Sequence, residues 1–390
     1  MKKETRVNHP PRVDLASDNH PVVAPIYQTV KFEFESLEQT LEYLHGERRG
    51  FFYTRASNPT TRQLEQTLAE LQGREDCLAT GSGVAAIAHL LLALTQQGDH
   101  VVCFVETYNP TRYLIRRLLG RFGVTNTMLS IEDVAGVERA LASQRTRLVL
   151  FESPTNPITK VADIAALTRL ARAHGALTVL DNTFAGLHQH GEYDIDVFVH
   201  SLTKYASGAG DVMGGAVIAQ SDIIRSLRAD FGVLGGVLDP HAAFLIQRGL
   251  KTYFVRYRTQ SATAQRMAEL LAGHAAVERV HYPGLASHPQ HALARAQMRD
   301  FGTIVAFDLR GGPEAAARFV DALELFALTP SLGSTESLVV APQMMSGGDL
   351  TAEQARLSAV TPGTVRLSIG LEDPDDLADD VAKALAAAGS

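Results

Sequence analysis

In the stretch Leu148-Val-Leu-Phe151, Asp163-Ile-Ala-Ala-Leu-Thr-Arg-Leu-Ala-Arg-Ala-His174, Gly175 and Leu177-Thr-Val-Leu180, two apolar runs flank a segment of helical period. Short apolar runs without alternation read as strands buried on both faces, and Gly175 supplies a helix stop. Strand, helix, strand predicts a parallel pair joined by a crossover helix. The same texture repeats outward. Further strand-like runs stand at 100–105, 124–129, 197–199 and 213–219, with helices expected at 61–72, stopped by Gly73, and at 131–141 behind Ser130. The fold class is therefore α/β with a mostly parallel sheet covered on both faces. Beyond residue 250 the texture changes. A long helical pattern at 251–272 leads to the turn His281-Tyr-Pro-Gly284, a strand at 304–309, a helix at 313–325, a strand at 364–369 and a closing helix at 374–388. This reads as a smaller α+β C-terminal domain. The division predicted is 1–55 as an N-terminal arm contacting a partner subunit, 56–250 as the cofactor-binding domain and 251–390 as the C-terminal domain. Pro10, Pro11, Pro21 and Pro25 discourage long helices in the arm.

The 390 residues are 45% hydrophobic and carry a formal charge of −7. Length and apolar content suffice for a sizeable core, and the acidic balance without a basic run argues against nucleic acid as a partner. The longest apolar stretch, near 84–94, is too short to span a bilayer, and the start lacks the apolar segment of a secretory signal. Cys77 and Cys103 sit inside apolar runs and read as buried thiols of a reducing compartment. A cytoplasmic enzyme acting on a small molecule is the expectation.

In a parallel sheet the chemistry collects just past the carboxyl ends of the strands. There stand Leu180-Asp-Asn-Thr-Phe184 and Val199-His-Ser-Leu-Thr-Lys-Tyr205. Pyridoxal phosphate needs a lysine for its Schiff base and a carboxylate to keep its ring nitrogen protonated. Lys204 and Asp181 fit those roles, and Ser201 and Thr203 can donate hydroxyls to the phosphate. Read alone, the pair is equally a strand-end lysine and a helix cap. Thr80-Gly-Ser-Gly-Val-Ala-Ala86 sits between a strand-like run and an apolar helix. Its small residues let Ser82, Gly83 and Val84 cradle a phosphate at a helix N-terminus. The string also fits a dinucleotide fingerprint, although no further nucleotide-binding context follows it. His188-x-His190 and the set His281, His288 and His291 lack the accompanying ligands of a metal site.

Together these segments resemble the cysteine/methionine metabolism (trans-sulfuration) family of pyridoxal-phosphate enzymes, from about residue 25 to the C-terminus. The matching motifs are Tyr53-Thr-Arg-Ala-Ser-Asn-Pro-Thr60, Ser82-Gly-Val-Ala-Ala86, Glu152-Ser-Pro-Thr-Asn-Pro157, Leu180-Asp-Asn-Thr-Phe184, His200-Ser-Leu-Thr-Lys204, Gly210-Asp-Val-Met-Gly-Gly215, Tyr282-Pro-Gly-Leu285, Ser331-Leu-Gly333 with Glu336-Ser-Leu338, and the run from Val365 to Asp373. The resemblance implies fold type I (aspartate-aminotransferase-like) and a homotetramer built as a dimer of dimers. It makes Lys204 the Schiff-base lysine and proton shuttle, Asp181 the pyridinium partner and Tyr108 the ring stacked on the cofactor. It assigns Tyr53 and Arg55 to the phosphate of the neighbouring subunit. Arg366 is implied to grip the substrate carboxylate, a task suited to its fork of donors, with Asn156 and Ser331 helping to hold substrate and cofactor.

The pattern departs from the family at the far end of the substrate site. Positions where members that handle cystathionine often carry acids are here Phe52 and Val340. An unpaired distal ammonium is costly beside apolar walls, which favours a small or apolar tail, as in methionine γ-lyases. The cysteine of those lyases is Pro110 here, and Tyr108-Asn-Pro-Thr-Arg112 is closer to some β-lyases. The loop 341–347 also departs from the family pattern. The activity implied is γ-elimination from methionine, cystathionine, canavanine or an O-acylhomoserine. The alternatives are γ-replacement, cystathionine β-lyase chemistry, transamination, and a catalytically silent pyridoxal-phosphate-binding regulatory protein. Tyr108 is expected to serve as acid or base near the leaving group, with its pKa lowered in a cationic site.

Overall fold

The computed structural model describes residues 21–341, 344 and 349–389. Seven strands form the larger sheet: β1 (Asp76–Thr80), β2 (His100–Phe104), β3 (Thr125–Leu129), β4 (Thr146–Glu152), β5 (Leu177–Asp181), β6 (Val197–Ser201) and β7 (Gly215–Ala219). Their order is β1-β7-β6-β5-β4-β2-β3. Strands β2 to β6 run parallel, and β7 is antiparallel to both of its neighbours.

Alternation along each strand feeds two separate cores, because successive side chains leave opposite faces. Val102, Phe104, Phe151, Leu180 and Phe198 pack on one face, while Val101, Cys103, Leu150, Val179 and Val199 pack on the other. Burial on both faces explains the uninterrupted apolar runs of the central strands. The edge strand β3 alone reads Thr-Asn-Thr at its start and has an exposed first residue.

Several elements begin elsewhere than the sequence pattern suggests. The helix expected behind Ser130 starts at Val134, because Asp133 caps it through Gly136 N–H at 2.8 Å. Ser130 instead donates its hydroxyl to Glu106. Strand β7 starts at Gly215 rather than 213, since Gly214 is engaged by Leu202 N–H and by the Thr203 hydroxyl. The helix at 61–72 begins earlier, at Pro59, capped by Asn58 with proline in the first turn. Helices Leu37–Leu44, Ser221–Leu234, Pro240–Leu250 and Ala352–Ser358 were not anticipated.

Five strands form the second sheet, β8 (Val277–His281), β9 (Ile304–Leu309), β10 (Ala327–Leu328), β11 (Leu338–Val340) and β12 (Thr364–Ser368), ordered β10-β11-β12-β9-β8. Helices Tyr253–Ala272, Gly312–Ala322 and Pro374–Gly389 bury Met267, Phe319 and Leu385 against Phe307 and Val365. The Phe307 and Phe319 rings meet edge to face at 5.3 Å. No helix of the described residues is long and apolar enough to cross a membrane.

Candidate active site

The carboxyl ends of β2, β4, β5 and β6 open into a cavity of about 550 Å³, whose opposite wall comes from the second sheet. Asp181 ends β5. Its Oδ1 accepts Thr183 N–H at 3.1 Å and the Thr183 hydroxyl at 2.6 Å. Burial pushes the Asp181 carboxyl up, and the Thr183 bonds pull it back. Glu152 ends β4 and is the direct cross-strand neighbour of Asp181. Burial, and then Asp181, push the Glu152 carboxyl well above the usual carboxylate range. Glu152 Oε1 accepts the Tyr108 N–H at 2.6 Å and so fixes the entrance to helix Asn109–Tyr113.

On the phosphate side, Ser82 caps helix Gly83–Leu94 by accepting Ala85 N–H at 3.1 Å. The first amides of a helix lack intrahelical partners and point at whatever anion sits there. A Cβ on Gly83 would stand 2.8 Å from Ser201 Cβ, so glycine is required where these walls meet. Ser82, Gly83, Val84, Ser201 and Thr203 all line the cavity. Thr203 differs from expectation in one respect: its hydroxyl is engaged, donating to Gly214 O at 3.3 Å and accepting Gly214 N–H at 3.1 Å. The bond it donates is long, and a phosphate oxygen can replace it.

Lys204 reaches into the same space and donates from Nζ to Ser331 Oγ at 2.8 Å. Burial lowers its pKa and nearby Arg366 lowers it further. Arg366, buried on β12, donates to Asn156 Oδ1 and to Ser331 O, both at 2.8 Å. Its Nε is buried with no hydrogen-bond partner, and burial brings its pKa down to about 10. Nη1 and Nη2 each carry a second N–H beyond the bond named, and these can take a carboxylate in the cavity that Arg366 lines. Lys204, Asp181, the Gly83 cradle and Arg366 thus form a set that fits a phosphorylated aldehyde cofactor and an amino acid.

One consequence can be measured directly. The apoprotein should capture pyridoxal phosphate covalently along a pH profile whose midpoint lies below that of an ordinary lysine, because only the neutral amine attacks a carbonyl. Arg366→Met should move that midpoint upward by removing the like charge. A profile unmoved by the substitution would contradict the coupling.

The expected direction at Tyr108 is reversed. Burial pushes the phenol up, Glu152 and Asp181 add to this, and only Arg366 pulls it back. The site of one chain is acidic beside Tyr108, so the phenol is suited to giving a proton rather than taking one. Phe52, Tyr53 and Arg55 are not brought to the cavity of their own chain. Phe52 and Tyr53 are each 41% exposed. Phe52 stacks on Tyr43 with centroids 6.0 Å apart, and Arg55 lies over the Tyr53 ring at 5.4 Å. Val340 lines the cavity beside Arg366, its cross-strand partner. Of the loop 341–347, Ala341 and Met344 are described and the other positions lie outside the described residues. Glu152, Thr183, Arg112 and Met213 line the cavity without having been singled out for the site. For Glu152 the signal was available, since it is the last residue of a buried strand.

The model of the Cys/Met metabolism PLP-dependent enzymes matches residues 7–386. The chain belongs to this family. Pyridoxal phosphate is therefore its cofactor, in keeping with the lysine, carboxylate and cradle described above. The chain is 42% identical over 370 residues to the L-methionine γ-lyase of Pseudomonas putida, covering 94% of this chain and 93% of the relative. Its fold matches the crystal structure of cystathionine γ-synthase from Xanthomonas oryzae in complex with aminoacrylate and cysteine, with a TM-score of 0.89, 37% identity and 94% of each chain covered. A Campylobacter jejuni structure described as an O-acetylhomoserine (thiol)-lyase contains N'-pyridoxyl-lysine-5'-monophosphate. It aligns with a TM-score of 0.88 and 31% identity, over 94% of this chain and 96% of that one. The architecture is fold type I of the PLP-dependent enzymes, as the sequence resemblance implied, and the relatives are lyases and synthases of γ chemistry.

Proposed function

We propose that this chain is a lyase that removes the γ substituent of an amino acid by breaking a carbon–sulfur or carbon–oxygen bond. The observation that carries the reading is the division of the cavity. Arg366 supplies a carboxylate grip at one side, while the lining acids Glu152 and Asp181 both stand at strand ends on the cofactor side. Val340, Met344, Pro110 and Met213 give the remaining wall an apolar character. Such a wall accepts an uncharged tail, as in methionine or O-acetylhomoserine, and leaves a distal ammonium without a partner. The methionine γ-lyase relative supports the same choice.

Bound pyridoxal phosphate supplies the electron sink for a carbanion at Cα. Asp181 holds a proton on the ring nitrogen that makes this sink effective. Arg366 orients the substrate by its carboxylate so that the α-hydrogen faces Lys204. Lys204 Nζ then takes the α-proton and serves the β carbon in the next step, a shuttle favoured by its lowered pKa. Tyr108 gives a proton to the departing sulfur or oxygen. With one water, the carbon skeleton leaves as a 2-oxo acid and its nitrogen as ammonia. If a thiol or water adds at Cγ instead, the same residues perform replacement.

The reading includes a dimer-shared site within a tetramer, with Tyr53, Arg55 and Phe52 serving the neighbouring subunit's cavity. Helix Leu37–Leu44 buries none of its residues within one chain, leaving Leu37, Leu41 and Leu44 exposed for such a contact. It also keeps the arm, cofactor-domain and C-terminal divisions at 55 and 250. Two free, buried cysteines suit a cytoplasmic setting.

The test is product identification after incubation with methionine, cystathionine, O-acetylhomoserine and canavanine in turn. A four-carbon product, 2-oxobutyrate or homoserine, is expected. Pyruvate from cystathionine would make the protein a β-lyase. A bound-cofactor absorbance that none of these amino acids alters would leave it a silent binding protein.

A further inference from the structure

Arg112 is a buried cation on the wall of the substrate cavity. A free guanidinium there would attract substrates with a second carboxylate. It is not free. Nε and Nη2 donate to the two oxygens of Asp349, at 2.9 and 2.7 Å, in a bidentate pair. Nη1 donates to Val105 O at 3.0 Å and to Thr107 O. Four of the five N–H groups are thereby committed. The two side chains are 7% and 23% exposed, so water screens the pair weakly. Burial alone would raise the Asp349 carboxyl, but Arg112 and Arg116 outweigh it and hold it below the usual carboxylate value. Glu152, another acid that feels Arg112, accepts the Tyr108 N–H and takes none of the Arg112 hydrogen bonds, which go to Asp349, Val105 and Thr107.

We propose that Asp349 is a specificity-determining residue: by occupying Arg112 it makes the cavity reject amino acids whose side chain ends in a carboxylate. This rests on the reading that the cavity binds γ-substituted amino acids. The rejected class includes succinyl esters of homoserine and dicarboxylic amino acids; methyl and acetyl tails are admitted. Two further features point the same way. Thr107, whose carbonyl accepts Arg112, has a buried hydroxyl with no hydrogen-bond partner, an unmet polar group beside the guanidinium. Arg116 donates to the backbone carbonyl of Asp349, so the segment stays tethered when only the side chain is changed.

The experiment compares two ligands that lack a leaving group, L-2-aminoadipate and L-norleucine, as competitive inhibitors and by their perturbation of the holoenzyme's visible spectrum. The wild type should prefer norleucine. In Asp349→Asn and Asp349→Ala the preference should shift toward aminoadipate by about tenfold or more, the scale of one charge-assisted pair. The double variant Arg112→Gln with Asp349→Asn should return the ratio to the wild-type side. An unchanged ratio in both single variants, or equal weakening of both ligands, refutes this inference alone. Failure of norleucine to bind the wild type refutes the amino-acid reading and this inference with it.

Discussion

Lys204→Ala is expected to abolish turnover with every substrate, by at least about 10⁴-fold, combining loss of a covalent attachment and of a general base. The argument begins with position. Lys204 follows the last residue of β6 by three, and its Nζ is held at 2.8 Å from Ser331 Oγ, inside the cavity that Asp181 and Arg366 also line. No other lysine lines that cavity among the described residues. Truncation leaves a small gap beside a half-open cavity, and Ser331 keeps its exchange with water, so the fold should survive. The cofactor should still bind through the Gly83 cradle and Asp181, but without a covalent link. Borohydride reduction followed by intact-mass measurement separates these outcomes: wild type gains the pyridoxyl mass and the variant does not. Turnover within tenfold of wild type, in protein with the native circular dichroism spectrum, would remove Lys204 from its assigned role.

The sequence was legible where meaning is local. Uninterrupted apolar runs declared buried parallel strands, and residues just past their ends, Asp181 and Lys204, had to face the sheet's open edge. Gly83 was legible for the same reason, as a small residue between strand and helix. Arg366, Asn156 and Ser331 were reached through motif resemblance, since nothing in their neighbours says that β12 of a second sheet faces the first. The Arg112–Asp349 pair was beyond reach, because its members lie 237 residues apart and acquire their meaning by touching. Tyr108 went astray for a related reason. Its pKa is set by burial and by Glu152 and Asp181, acids contributed by two other strands. Helix Pro240–Leu250 is separated from Tyr253–Ala272 by Thr252, which leaves the helical region at φ −110° and ψ 3° while Lys251 keeps helical angles, and neither position is a glycine or proline that would mark the break in the sequence.

The same strand-end crowding of acids sets the expectation for Asp181→Ala, a fall in kcat of about 10³-fold with a smaller loss of cofactor affinity. Fixed charge aimed at a reacting centre in a water-poor site typically contributes 10²–10³-fold per group, and here the charge also governs protonation of the cofactor ring. The cross-strand neighbour of Asp181, Glu152, has its carboxyl pushed up by burial and by Asp181, which favours a single negative charge on the pair. Thr183, bonding Oδ1 twice, favours the ionised form against the cost of burial. Asp181→Asn preserves shape and removes charge, so it should fall with Asp181→Ala; Asp181→Glu keeps charge at a shifted position and should lie between them and the wild type. The pH dependence has a defined sign. With its pKa raised by burial, Asp181 loses its charge on the acid side earlier than an exposed aspartate, so activity should decline as pH falls through that raised value. The limb should be absent in Asp181→Asn. Stopped-flow measurement of α-proton removal across the acid range reads both effects, and an Asp181→Asn enzyme with wild-type kcat and the same acid limb would refute the assignment.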